Sequence, residues 1–194
     1  MCGIAALFAY GAGAPKLEAS ELIQINQAML RRGPDAGNHW ISDDSQVGLT
    51  HRRLAIIDPD VRANQPMAIN QRYWITFNGE IYNFRALRML LQSEGVVFTT
   101  ESDTEVLLRL YERDGAEMVE KLRGMFALII WDQAERRLFL ARDAFGIKPL
   151  YISDNGKVIR AASTVKALRA SGQAGISGPD PAGHVGFFLF GSVP

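Results

Sequence analysis

The chain carries two hydrophobic rhythms. Short apolar runs bounded by turn residues read as strands, and apolar residues recurring every three or four positions read as helices. Cys2–Phe8 is the first run, closed by Gly11, Gly13 and Pro15, and it predicts a buried strand. Leu22, Ile25 and Met29 share one face of a helix that Ser20 is placed to cap and that extends to about Leu30. Gly33-Pro34-Asp35 forces a turn. Val47–Ile57 is strand-like around a polar knot, His51-Arg52-Arg53, and Tyr73–Asn78 reads as a strand ending in the tight-turn dipeptide Asn78-Gly79. Asn83 is placed to cap a helix that groups Leu87, Leu90 and Leu91. Ser102-Asp103-Thr104-Glu105 has the spacing of a capping box ahead of Val106, Leu107, Leu110 and Tyr111. A short helix over Ala116–Leu122 precedes two hairpins, Met125–Asp132 with Leu138–Arg142 and Tyr151-Ile152 with Val158–Ala162; a last helix starts at Thr164. Strands and helices do not alternate regularly, which disfavours a doubly wound parallel sheet and predicts paired sheets with helices packed outside.

Residues 171–194 are rich in Gly and Pro and read as a linker. The apolar cluster Phe187-Phe188-Leu189-Phe190 follows, as if the chain were the front portion of a longer protein, with that cluster packing on the remainder.

The 194 residues carry 21 basic and 21 acidic side chains. A balanced chain has no bulk field to gather phosphates, so neither nucleic acid nor an anionic membrane is an expected partner. One cysteine, Cys2, cannot close an internal disulfide, and a reducing, cytoplasmic compartment is the expectation. With three histidines and that single thiol, no metal site is expected. No apolar run approaches the roughly 20 residues of a membrane span. Ile4–Tyr10 lacks the preceding positive charge of a secretory signal.

Cys2 draws attention because removal of Met1, which a small second side chain favours, leaves one residue with both a thiol and a free α-amine. An α-amine titrates near pH ~7.7–8.0 and can serve as a base to the thiol beside it. On position alone, a buried strand cysteine is the plainer reading. Asn78-Gly79 can offer a side-chain amide and a backbone N–H to an oxyanion, or be an ordinary turn. Arg53 can grip a carboxylate or form a structural ion pair, and Asp103 can bind an ammonium group or cap a helix. His51, without an acid or serine motif beside it, reads as structural.

Seven segments then fall in one order: Met1-Cys2-Gly3-Ile4-Ala5, Arg32-Gly33-Pro34-Asp35, His51-Arg52-Arg53-Leu54-Ala55-Ile56, Phe77-Asn78-Gly79-Glu80-Ile81-Tyr82-Asn83, Ser102-Asp103-Thr104-Glu105, Gly124-Met125-Phe126-Ala127 and Arg142-Asp143 through Lys148-Pro149-Leu150-Tyr151. In this the chain resembles the glutamine-hydrolysing domain of the asparagine synthetase family, a class II glutamine amidotransferase. Two departures are Arg31, where the family often has His, and Thr164, where it usually has Glu.

The resemblance implies an α+β fold, the four-layer αββα sandwich of N-terminal nucleophile (Ntn) hydrolases, with two antiparallel sheets between helical layers. It implies a glutaminase domain over residues 1–170 and a linker over 171–194 toward an ATP-dependent synthetase domain. Cys2 would attack the amide of L-glutamine through a thioester, and Asn78 and Gly79 would hold the oxyanion. Arg53, Leu54, Ile57, Glu80 and Asp103 would bind the substrate. Ammonia would pass to the synthetase domain, and ATP and Mg are expected only there, with no cofactor in this chain. A homodimer is left open. The rival reading is a catalytically silent Ntn-fold structural or regulatory module.

Overall fold

A computed structural model describes residues 1–54 and 61–172. Ile57, and with it the Phe187–Phe190 cluster, lies outside the described residues. Nine strands and four α-helices are described: β1 (Gly3–Ala9), α1 (Ala19–Ala28), β2 (Ala36–Ile41), β3 (Val47–Arg53), β4 (Met67–Ile69), β5 (Tyr73–Ile81), α2 (Phe84–Ser93), α3 (Asp103–Asp114), β6 (Gly124–Asp132), β7 (Arg137–Arg142), β8 (Tyr151–Asp154), β9 (Val158–Ala162) and α4 (Val165–Ala170). A 3-10 helix spans Gly115–Lys121, close to the short helix that the sequence predicts over Ala116–Leu122.

The strands form two sheets, ordered β2-β3-β1-β9-β8 and β4-β5-β6-β7, with every pairing antiparallel. Three apolar cores stack through the molecule. Ala5, Leu7 and Ala9 of β1 meet Leu22 and Ile25 of α1, Met29 just past its end, and Leu168 of α4. Ile75, Phe77 and Ile81 of β5 meet Leu107, Leu110 and Tyr111 of α3 and Leu87 and Leu91 of α2. Between the sheets lie Ile4, Ala6, Val47, Leu49, Ala127, Ile129 and Trp131. The order is therefore helices, sheet, sheet, helices, the αββα arrangement that the resemblance implies. Central strands buried on both faces lose the apolar–polar alternation of a half-exposed strand, which is why β1 and β6 read as continuous apolar runs.

Local expectations fared unevenly. Asn78-Gly79 is no turn: β5 continues through it to Ile81, with Asn78 opposite Ala127 and Gly79 opposite Phe126. Glycine is needed there because a Cβ would sit 2.4 Å from the Met125 carbonyl oxygen of the neighbouring strand. Helix α1 begins at Ala19 after Glu18, and Ser20 donates its hydroxyl to the Glu18 carboxylate instead of capping. Asn83 precedes α2, but its side chain bridges Lys121 O (2.9 Å) and Arg123 N (3.0 Å), tying the helix start to the entry of β6. Leu90 faces solvent while Leu87 and Leu91 are buried. The capping box is half formed: Ser102 Oγ accepts from Thr104 N at 2.9 Å, whereas Glu105 turns to Thr99 N (3.0 Å) and Thr100 N (2.7 Å). The sequence pattern does not mark β2 or β4, because Ala36–Ile41 is an edge strand with no buried residue and no continuous apolar run, and Met67–Ile69 is only three residues long.

Ile129 is fully buried between the sheets, so Ile129→Ala leaves a cavity in the layer that joins them. A loss of about 2–5 kcal/mol in unfolding free energy is expected, read from urea denaturation of wild type and variant.

Candidate active site

Strand alternation decides which side chains meet. Ile4 and Ala6 point between the sheets, so two residues earlier Cys2 continues that face. On β3 the inter-sheet residues are Val47 and Leu49, and the same step of two brings His51 and Arg53. On β5 the helix side takes Ile75, Phe77 and Ile81, which leaves Asn78 and Glu80 facing the other sheet. The register Gly3↔Arg52, continued by one position, sets Cys2 beside Arg53. All of these residues therefore gather at one end of the inter-sheet space. A pocket of about 210 Å³ lies there.

The nucleophile candidate is held from two sides. Cys2 Sγ donates to Leu54 O at 3.6 Å and receives Leu54 N–H at 3.4 Å. Arg32 Nε donates to the Cys2 carbonyl at 2.9 Å, fixing the backbone that carries the thiol. Met1 is half exposed and also lines the pocket.

The free edge of β5 forms the facing wall. β4 pairs only as far as Met67↔Ile75, and among the described residues no strand follows it along β5. Odd-numbered residues of β5 direct their backbone groups to that side. Phe77 N–H donates to Gln65 Oε1 at 2.6 Å, and Ile81 N–H donates to Asp103 Oδ2 at 3.3 Å. By the same alternation Gly79 N–H, between them, projects off the edge at the pocket wall. The Asn78 side chain is buried, and its Nδ2 lacks a hydrogen-bond partner among the described residues. A buried amide donor without a partner is costly unless something arrives to accept from it. The Asn78 amide and the Gly79 N–H thus form a pair of donors on the pocket wall.

Charges of both signs ring the same space. Arg53 is buried and donates through Nη1 to Asn64 Oδ1 at 2.6 Å. Asp103 sits in the first turn of α3. Burial pushes its carboxyl up to about 6, against backbone N–H bonds from Ile81 and Thr104 that favour the ion, and the Glu80 carboxylate adds to the rise. Lys148 is buried at the pocket wall; its backbone N–H is held by Asp143 Oδ2 at 3.0 Å. His51 also lines the pocket, and burial lowers its pKa to about 3, so the ring is neutral.

The structure brings Cys2, Arg53, Leu54, Asn78, Gly79, Glu80 and Asp103 around one pocket. Sequence reasoning assigned no role to Arg32, Gln65 or Lys148. Arg32 and Lys148 lie inside quoted motifs, and their purely local context carried no signal of what they touch. Gln65 carried none either, since its two partners, Phe77 and Thr104, are distant in sequence.

Residues 1–183 match the family model described as a glutamine amidotransferase domain. The chain is 44% identical over 170 residues to asparagine synthetase [glutamine-hydrolyzing] 1 of Bacillus subtilis (strain 168), covering 87% of this chain and 26% of that protein. It is 35% identical over 181 residues to the amidase chry2 of Gibberella zeae, covering 89% of this chain and 27% of that protein. The chain spans about a quarter of the length of these curated relatives. Among solved structures, glutamine phosphoribosylpyrophosphate amidotransferase from B. subtilis superposes with a TM-score of 0.72 at 21% identity, over 88% of this chain and 44% of that one. The four-layer sandwich is thus the Ntn amidotransferase fold.

Asp103 bears a stability cost that depends on pH. Its folded pKa lies above the ordinary carboxyl value of 3.8, so the folded state favours the protonated form. The associated stability is present below pH ~4 and is lost as pH rises through about 6. Asp103→Asn is therefore expected to raise the thermal midpoint at pH 7 and to leave it nearly unchanged at pH 3.5, in melts followed by circular dichroism.

Proposed function

The chain belongs to the glutamine amidotransferase domain family, class II and asparagine synthetase-like, and on that footing we propose that its pocket hydrolyses free L-glutamine to glutamate and ammonia. The observation that carries this reading is the meeting, in one pocket, of the Cys2 thiol, the Asn78–Gly79 donors, and Arg53 with Asp103. Each has a task that free glutamine supplies. Its side-chain carbonyl is an electrophile for sulfur and becomes an oxyanion under attack. Its α-carboxylate matches Arg53, and its α-ammonium matches Asp103 with Glu80 nearby. Leu54, which grips the sulfur through its backbone, stands beside the same substrate. Ile57 is assigned with it on the resemblance.

The chemistry follows from one terminal residue. While Met1 is attached, the Cys2 nitrogen is an amide and has no basic lone pair. Removal of Met1 creates an α-amine and widens the pocket that Met1 lines. The amine takes the thiol proton, and sulfur attacks the amide carbon. The carbonyl electron pair moves to oxygen, where Asn78 Nδ2–H and Gly79 N–H stabilise it. Collapse expels ammonia, which takes the proton back from the ammonium of Cys2. Water, deprotonated by the same amine, then hydrolyses the thioester to glutamate and the free thiol. No metal or organic cofactor enters these steps.

We further propose that the ammonia passes to an acceptor domain, the ATP- and Mg-dependent part expected beyond residues 1–170. The loop after β7 supports this. Asp143 accepts from the backbone of Phe126, Phe145, Ile147 and Lys148. So held, the loop presents Phe145, 92% exposed, and Ile147 to the outside while Lys148 lines the pocket. A rigid pair of exposed apolar side chains beside the site suits a covering domain.

Three experiments test the hydrolysis. In a chain whose first residue is shown by intact mass to be Cys2, Cys2→Ala should reduce glutamate release to background with an unchanged melting midpoint; near-normal turnover would falsify the assignment. Arg53→Ala should raise the glutamine KM roughly 10- to 150-fold, equivalent to about 1.5–3 kcal/mol for a charge-assisted contact. N-acetylglutamine should be a poor substrate for wild type, and equal use of the free and acylated amides contradicts the two-ended grip.

A further inference from the structure

Beyond Ile75, among the described residues, side chains and not a strand meet the edge of β5. Phe77 is the residue where this substitution is clearest. Its N–H donates to Gln65 Oε1 at 2.6 Å, and its carbonyl lies 3.2 Å from His51 Nε2. A carbonyl oxygen can only accept, so Nε2 carries the proton and Nδ1 does not. Burial keeps the ring neutral, so this tautomer persists through the working pH range. The Phe77 carbonyl belongs to the peptide group that leads directly into Asn78. Rotating that peptide swings the Asn78 side chain and displaces the Gly79 N–H that follows.

His51 is well placed to resist such a rotation. It lies on β3, the strand that pairs with β1 and so continues to Cys2, whereas Phe77 lies on the other sheet. Its ring bond is therefore a strut from the sheet of the nucleophile to the sheet of the oxyanion donors. A second strut runs alongside, with Thr76 Oγ1 donating to Thr50 O at 3.2 Å. The His51 backbone is itself pinned, since Asn26 Nδ2 of α1 donates to His51 O at 3.0 Å and to Thr50 Oγ1 at 2.6 Å.

We propose that His51 is a positioning residue for the oxyanion-binding donors: its Nε2–H bond to the Phe77 carbonyl holds Asn78 and Gly79 at the correct distance and angle from Cys2, and it exchanges no proton with the substrate. The inference rests on the glutaminase reading above. It differs from a role as general base, because a glutamine side chain can supply an amide N–H where His places Nε2, and an amide cannot act as a base.

The test uses chains whose first residue is confirmed as Cys2. Steady-state glutaminase kinetics are measured for wild type, His51→Asn and His51→Gln, together with the rate of Cys2 alkylation by iodoacetamide, a reaction that forms no oxyanion. His51→Asn, whose amide reaches only the Nδ1 position, should lower kcat about 10- to 100-fold, with KM within about threefold and alkylation within about twofold of wild type. His51→Gln should recover kcat to within about fivefold. Wild-type kcat in His51→Asn overturns the proposal. So does a change confined to KM, a parallel fall in alkylation, or a His51→Gln variant as slow as His51→Asn. Should His51→Asn fail to give a cooperative melt, nitrogen NMR of the wild-type imidazole decides: the Nε2–H tautomer supports the proposal and the Nδ1–H tautomer overturns it. A wild-type chain with Cys2 exposed that hydrolyses no glutamine overturns the glutaminase reading and this inference together, whereas an active wild type with an unaffected His51→Asn overturns the inference alone.

Discussion

A backbone edge without a partner strand is normally a liability, because each N–H and C=O left on it must find a bond elsewhere. In this molecule that requirement shapes the site. β4 pairs with β5 only to Ile75, and β5 continues to Ile81. Along the stretch that β4 does not reach, Gln65 meets Phe77 N, His51 meets Phe77 O, and Asp103 meets Ile81 N. Gly79 stands between, with its N–H toward the pocket. The short strand, the polar side chains that replace its continuation, and the donor pair on the wall are consequences of one geometric fact. Glycine at position 79 is the complement to it, because β6 approaches too closely for any side chain.

The same region concentrates polar groups that the fold would be more stable without. The Asn78 amide is buried with a donor unsatisfied among the described residues, and Asp103 is buried well enough to push its carboxyl up to about 6. Such groups are expected where binding, and not stability, has shaped the environment. Free glutamine, the proposed substrate, would relieve both at once, through its side-chain carbonyl oxygen at Asn78 and its ammonium at Asp103. The surrounding layers supply the compensation: three apolar cores hold the two sheets and their helices in register around a small polar mouth.

The sequence was legible where a local rule matched the final environment. Continuous apolar runs foretold β1 and β6, Thr164 marks the start of α4, and Ser102 caps α3. It misled where a local signal was put to a tertiary use. Asn78-Gly79 has the composition of a turn, yet the strand passes straight through it. Asn83 has the composition of a cap, yet its amide joins two segments some forty residues apart. β2 went unseen because an edge strand with one face in solvent need not be apolar.

The chain by itself determined which chemistry was available: a thiol at the second position, an arginine and an aspartate of opposite charge, an amide beside a glycine, and enough two-faced apolar strand to require sheets covered on both sides. It also carried the family likeness that ordered these residues into one hypothesis. Only the tertiary structure decided that they meet. Antiparallel register sets Cys2 against Arg53 and Leu54, and the period of two sends Asn78 inward and Phe77 outward. The meeting of the two sheets brings His51 to the Phe77 carbonyl. Those contacts join residues some twenty-five to fifty positions apart, and pairing over such distances is fixed by how whole strands align, which no local pattern of hydrophobicity encodes.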